Sequence, residues 1–220
     1  MSAVTNIPVD LVLFGMVALF LVLRLRSILG RRQGFEGVPE APALRRAPGP
    51  VIDGRSEPPP PVPARVLPEP ASETGKVLSA MQAADRGFAP GPFLNGAEGA
   101  FRIIVTAFAA GDRDKLRPLL APATFEAFDH AVQAREAAGE VQRTEVRAIL
   151  EATIDHAALQ GTLAEITVRF VSQQITITHD KDGAIVAGAD ATMELVDIWT
   201  FVRDLTEKGA VWRLAAAHSA

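Results

Sequence analysis

The chain contains no cysteine in 220 residues. Disulfides, thiol nucleophiles and cysteine-ligated metals are therefore excluded, and the absence suits a reducing compartment without fixing one. A basic surplus is also missing. The net charge is −4, with 8 arginines against 6 acidic residues in 1–70 and 14 basic against 20 acidic residues in 71–220. The C-terminal part lacks the positive field that binding to a phosphate backbone requires, so no nucleic acid is expected as a partner. Recognisable chemistry is sparse as well. There is no G-x-S-x-G, no glycine-rich phosphate loop, no EF-hand loop and no H-E-x-x-H. The four histidines (His130, His156, His179 and His218) are never four residues apart. No metal, no cofactor and no enzymatic activity are expected.

What is present falls into three unlike segments. Residues 7–25 are apolar except for Asp10 and Arg24, one near each end. Nineteen helical residues rise roughly 28 Å, about the thickness of a hydrocarbon core. This reads as a transmembrane anchor, with Leu11, Phe14, Leu19, Phe20 and Leu23 facing lipid. A cleaved signal peptide fits poorly: no Lys or Arg precedes Arg24, and no A-x-A site follows the run. A buried helix of a soluble domain fits poorly too, since nothing nearby would pack around it. Arg24, Arg26, Arg31 and Arg32 all follow the span, which orients the N-terminus outward and the rest of the chain inward. The same arginines suit anionic lipid headgroups, at about 1 kcal/mol per charge near the surface.

Residues 26–72 form a basic juxtamembrane stretch followed by a tether. Positions 39–70 hold 11 of the 16 prolines, including the run 58–61. Proline removes an N–H and fixes φ, so neither helix nor sheet is expected to propagate there. About forty such residues reach on the order of 100 Å if stiff. The tether reads as a spacer, with docking to a proline-binding module as the alternative.

Residues 73–220 have the pattern of a folded domain. Val77, Leu78, Met81 and Ala84 place a short helix over 74–87, which packs on its own domain or lies on the membrane surface. Asn95 and Glu98 form the N-cap and third position of a capping box. The helix that follows has Phe101, Ile104, Val105 and Phe108 on one face and ends at Gly111. Asp112 caps a short helix with Leu116, Leu119 and Leu120. Pro122 starts another, with Phe125, Phe128 and Val132 inward and a stop at Gly139. After Gly139 the apolar period becomes two. Val146, Ala148, Leu150, Ala152 and Ile154 point one way along a first strand. Residues 163–178 form a second strand whose apolar phase slips from even (Ile166, Val168, Phe170) to odd (Ile175, Ile177), which implies a bulge near 172–174. Asp182 and Gly183 signal a hairpin, and turn chemistry accounts for Gly183 and Gly188 alike. Residues 193–203 and 211–217 complete the set. The fold class expected is α+β, with helices packed on a curved four-stranded antiparallel sheet and an apolar mouth suited to a ligand or peptide.

Several of these segments resemble a known family. The stretch 100–120 (AFRIIVTAFAAGDRDKLRPLL), the strand 166–174 (ITVRFVSQQ), then 197–203 (DIWTFVR) and 211–214 (VWRL) are similar, in order, to the Tim44-like domain over roughly residues 88–217. Residues 20–32 (FLVLRLRSILGRR) resemble the anchor of its alphaproteobacterial branch. The resemblance implies a cone-like fold related to nuclear-transport-factor-two-like proteins. It also implies a membrane-associated protein-binding module. The mitochondrial relative is an import-motor scaffold, but this chain lacks that protein's long Hsp70-binding region, so the motor role does not carry over.

The expected localisation is the bacterial inner membrane, crossed once, with a periplasmic N-terminus and a cytoplasmic domain. The expected function is a protein-binding adaptor with an unidentified protein partner, in protein translocation or membrane-protein assembly. The alternative is a small-ligand-binding or enzymatic cone. Phe170, Asp197, Trp199, Phe201, Arg203 and Trp212 are the candidate partner or pocket residues. Asp197 and Arg203 share a strand face, giving either a polar patch with acid–base capacity or an ion pair that supports the sheet.

Overall fold

A computed structural model describes residues 64–207 and 209–219. The proposed anchor (Leu11, Phe14, Leu19, Phe20, Leu23), the headgroup arginines (Arg24, Arg26, Arg31, Arg32) and most of the tether lie outside the described residues. Among the described residues no helix is long and apolar enough to cross a membrane.

Among the described residues four helices precede three long strands and a shorter one. Helix α1 is Glu73–Ala84, α2 is Pro90–Ala110, α3 is Arg113–Leu116 and α4 is Pro122–Ala137. The strands are β2 Val141–Gln160, β3 Leu163–His179, β4 Ile185–Asp204 and β5 Arg213–Ser219. The expected count of four is one short. Ala64–Val66 forms an additional strand, β1, so the sheet has five strands in the order β1-β2-β3-β4-β5. β1 runs parallel to β2, and the other neighbours are antiparallel. The proline pattern hid this strand: four residues, 64–67, lie between Pro63 and Pro68 in the sequence, and three of them pair.

The ends of α1 and α2 differ from the sequence reading. α1 begins one residue early because Ser72 caps it, its Oγ accepting from the Gly75 amide at 3.0 Å. Leu78 and Met81 of α1 are buried against the domain. Asn95 does not cap α2, which starts five residues earlier at Pro90. The sequence Pro-Gly-Pro suits a first turn, where the missing N–H costs nothing. Gly111 ends α2 in the left-handed conformation, and Asp112 caps α3 through the Lys115 amide at 3.1 Å, as the sequence indicates.

All four helices lie on one face of the sheet. Phe101, Ile104, Val105 and Phe108 of α2 and Phe125, Phe128 and Val132 of α4 enter the core. Thr124 ties α4 to β5 through a 2.6 Å bond to the Ala215 carbonyl. The segment ahead of α4 closes the β5 edge, where Ala121 and Leu214 amides donate to the Leu214 and Leu119 carbonyls, each at 2.8 Å.

Bulges set the inward face. β2 slips register against β3 three times, with Arg147, Leu150 and Asp155 as the extra residues. Each extra residue exchanges the faces beyond it, so Ala148 and Ile149 are both buried while Leu150 is only half-buried. The expected alternation through Leu150 fails for that reason. The expected bulge within 172–174 is also displaced. Burial on β3 keeps its even phase through Ser172, Gln174 and Thr178, which are polar, and Ile175 and Ile177 fall on the outer face. The slip occurs opposite, on β4, where Gln174 pairs with Met193 but Thr176 pairs with Ala189. Gly188 sits just beyond it at φ 82°, where a Cβ would come within 1.9 Å of the Thr176 carbonyl oxygen. Its role is this close strand approach rather than the turn.

Candidate functional site

The sequence candidates divide between core and surface. Phe170, Asp197, Trp199 and Phe201 are all buried, at 0–2 % exposure. Phe101 of α2 stands between Phe170 and Trp199, with ring centroids at 4.6 and 4.7 Å. The contacts continue from Trp199 to Phe201, then to Phe93, Trp212 and Phe88. Seven rings thus run through the space between helices and sheet. The alternation of β4 fixes this, since Asp197, Trp199 and Phe201 share one face and α2 drops Phe101 onto it. The region expected to be an apolar mouth is filled by the protein's own side chains. Trp212 is half-buried at the margin, its ring 4.8 Å from that of Phe93.

Asp197 belongs to a small polar group inside the core. Its carboxylate accepts from Ser219 Oγ at 2.8 Å and from Gln174 Nε2 at 3.3 Å, and Gln174 also donates to Ser172 Oγ at 2.8 Å. Hydrogen bonding of this kind is what makes a buried carboxylate tolerable. Arg203 does not join it. Six steps along the strand set the two roughly 20 Å apart. Arg203 instead meets Asp85, at the C-terminal end of α1, at 2.9 Å. Of the two readings of this pair, neither holds as drawn: they form neither a shared patch nor a mutual ion pair, and each finds its own partner.

Arg203 also lines a surface cavity of about 380 Å3, together with Val202, Asp204, Glu207, Val211 and Arg213. Thr206 donates to Asp204 from its hydroxyl and its amide, at 2.7 and 2.9 Å, and these bonds hold the Asp204 carboxyl below the usual range. Charges of both signs face this cavity, which suits a zwitterionic or peptide-like group better than an apolar one. A second depression, about 180 Å3, lies beside Arg135, Glu136 and Gln142. Among the described residues no group of three or more His, Asp or Glu side chains is placed to hold a metal.

Among the contacts that escaped the sequence reading, two tie distant segments to α2. Glu98, assigned to a capping box, is a buried carboxylate in the middle of α2. It accepts two bonds from Arg65 of β1, from Nε at 2.7 Å and from Nη2 at 3.1 Å. Arg135 of α4 donates to the Phe108 carbonyl at 2.6 Å and the Ala109 carbonyl at 3.3 Å, and also bonds Gln142. It thereby satisfies the C-terminal carbonyls of α2, and burial lowers its pKa. Neither contact has a local signal, because both partners lie far apart in sequence.

The geometry defines a class: an α+β domain with all helices on one face of a bent, mainly antiparallel sheet. The Tim44-like domain family model matches residues 74–219, and the chain belongs to that family. No curated protein matches it. Similar solved structures include the intermembrane space region of the chloroplast protein ARC6, at 12% identity and TM-score 0.41, covering 57% of this chain and 95% of that one. A candidate ketosteroid isomerase from Shewanella frigidimarina is similar at 14% identity and TM-score 0.29, over 56% and 92%. A candidate dehydratase of the NTF2-like family from Streptomyces avermitilis is similar at 14% identity and TM-score 0.33, over 59% and 97%. These likenesses say nothing of this chain's ligand or chemistry.

Proposed function

We propose that the chain is a membrane-anchored, non-enzymatic adaptor that binds another protein at the cytoplasmic face of the inner membrane, in protein translocation or membrane-protein assembly. The observation that supports it best is the filled interior. A cone that works on a small molecule keeps space at its mouth, whereas here Phe101, Phe170, Trp199 and Phe201 occupy it. Recognition then falls to the surface. Membership of the Tim44-like domain family supports the same reading, as do the apolar run 7–25 and the arginines behind it. Lipid contact through the apolar face of α1 is disfavoured, because Leu78 and Met81 are spent on the domain's own core.

Crosslinking of the full chain in its native membrane, followed by mass spectrometry, tests the proposal. The expected result is a reproducible protein partner crosslinked to residues within 64–219. Repeated capture of lipid or self-crosslinks alone would refute it.

One observation favours a second reading. The cavity beside Arg203 and Arg213 is large enough, at about 380 Å3, for a small polar ligand. A small molecule that co-purifies and is displaced by Arg213→Ala would establish that reading.

A further inference from the structure

β1 is a strand with almost nothing holding it. It has three residues, all exposed, and pairs only with Glu151, Ala152 and Thr153 of the twenty-residue β2. Its pairing with β2 is parallel, the slightly weaker kind. The aliphatic side chains of Val66 and Leu67 are 48 % and 47 % exposed, so neither anchors the segment in the core. Pro68, two positions past Val66, limits lengthening on that side. What remains is backbone bonding and one ion pair.

That ion pair is asymmetric. The Glu98 side chain is only 9 % exposed, while Arg65 is 40 % exposed. The carboxylate is therefore fixed in the body of the domain, on a rigid 21-residue helix. The guanidinium is supplied by a weakly held edge. A bidentate bond of this shape selects a planar guanidinium over a point-like ammonium. A buried carboxylate beside an open run of strand backbone makes a receptor, and β1 makes a ligand for it.

We propose that the β2 edge at Glu151–Thr153, with Glu98 beside it, is a strand-accepting site for an extended segment of a partner protein that carries an arginine flanked by aliphatic residues, and that β1 occupies this site in cis until displaced. The proposal rests on the protein-binding reading above and names the chemistry of the partner. Binding by strand addition draws affinity from main-chain bonds and specificity from a side-chain contact, here the arginine at Glu98. β1 competes at the high effective concentration of an attached segment, so a partner must bind more tightly than β1 or arrive when β1 is weakened.

Arg65→Ala in the full chain removes the cis arginine and leaves the Glu98 carboxylate without that donor. Hydrogen exchange of those amides among 151–153 that face β1 should then accelerate by about tenfold or more, while those of β3 stay protected. A synthetic peptide of residues 62–68 should bind the Arg65→Ala chain at least about tenfold more tightly than the wild-type chain. The same peptide with alanine in place of its arginine should not bind, and Glu98→Gln added to Arg65→Ala should abolish binding of the arginine peptide. Unchanged exchange at 151–153 would overturn the proposal, as would an exposed edge that fails to take the peptide. Either failure leaves the adaptor reading standing if membrane crosslinking still yields a protein partner.

Discussion

Phe101 offers the sharpest way to ask whether the interior is full. It is wholly buried and its ring meets those of Phe170 and Trp199 at 4.6 and 4.7 Å. Truncating a core phenylalanine to alanine costs about 3–5 kcal/mol. Aromatic pairs add roughly 0.5–1.5 kcal/mol each beyond the area they bury. With two such pairs, Phe101→Ala belongs near the top of that range, at about 4–5 kcal/mol. For a domain of this size that corresponds to a fall in Tm of about 12–15 °C. Near-UV circular dichroism of the purified full chain would follow the melt through the tryptophans. A side chain that merely lines an open pocket behaves otherwise, since its removal leaves no new void. A loss below about 1.5 kcal/mol would therefore refute the filled-core account. Benzene provides a second arm: it should raise the Tm of Phe101→Ala and leave the wild type unchanged, because only the variant has a dry cavity to fill.

Three further tests address the bulge, the electrostatics and the topology. Gly188→Ala meets the Thr176 carbonyl at 1.9 Å, whereas Gly183→Ala, also at positive φ, meets nothing within 4 Å. The second should cost about 1–2 kcal/mol in urea unfolding and the first distinctly more, so equal costs would contradict the close strand approach. Hydrogen bonding to Arg113 at 2.8 Å holds the Glu136 carboxyl below its ordinary range. A depressed folded pKa means stability that is present above the unfolded value of about 4.3 and lost as the pH falls through the folded one. The Tm gap between wild type and Glu136→Gln should therefore shrink from pH 7 to pH 3, and a constant gap would show that the pair contributes nothing. Because the chain has no cysteine, single substitutions report topology cleanly. Ser2→Cys should label with an impermeant maleimide on intact cells and Ser56→Cys only after permeabilisation, with the reverse pattern overturning the orientation drawn from the arginines.

What the sequence disclosed follows the range of the interactions involved. The inward faces of α2 and α4, the Gly111 stop, the Asp112 cap and the Pro122 start depend on residues within a turn or two, and all stand in the structure. The existence of β2 to β5 was equally visible from the period-two pattern, while the short β1 was not. Strand geometry was not. A bulge such as that at Leu150 leaves no compositional trace, yet it exchanges which side chains are buried beyond it. Polar residues at Ser172, Gln174 and Thr178 concealed the true inner face of β3; Gln174 is held there by bonds to Ser172 and to Asp197 of β4. Asn95 and Glu98 matched a capping pattern that is also compatible with a helix interior, and only the arrival of Arg65 from 33 residues away shows what Glu98 does. Among the site candidates, Phe170, Trp199 and Phe201 lie in the core. That Phe101 fills the space between them depends on how α2 lies across the sheet, which no local rule gives.

The adaptor account is tested most directly by native mass spectrometry of the full chain extracted gently from its own membrane. The account predicts the mass of the chain alone and of the chain with a protein partner, with no stoichiometric small molecule in either species. A tightly held one-to-one small-molecule adduct on the free chain, lost on unfolding, would contradict it.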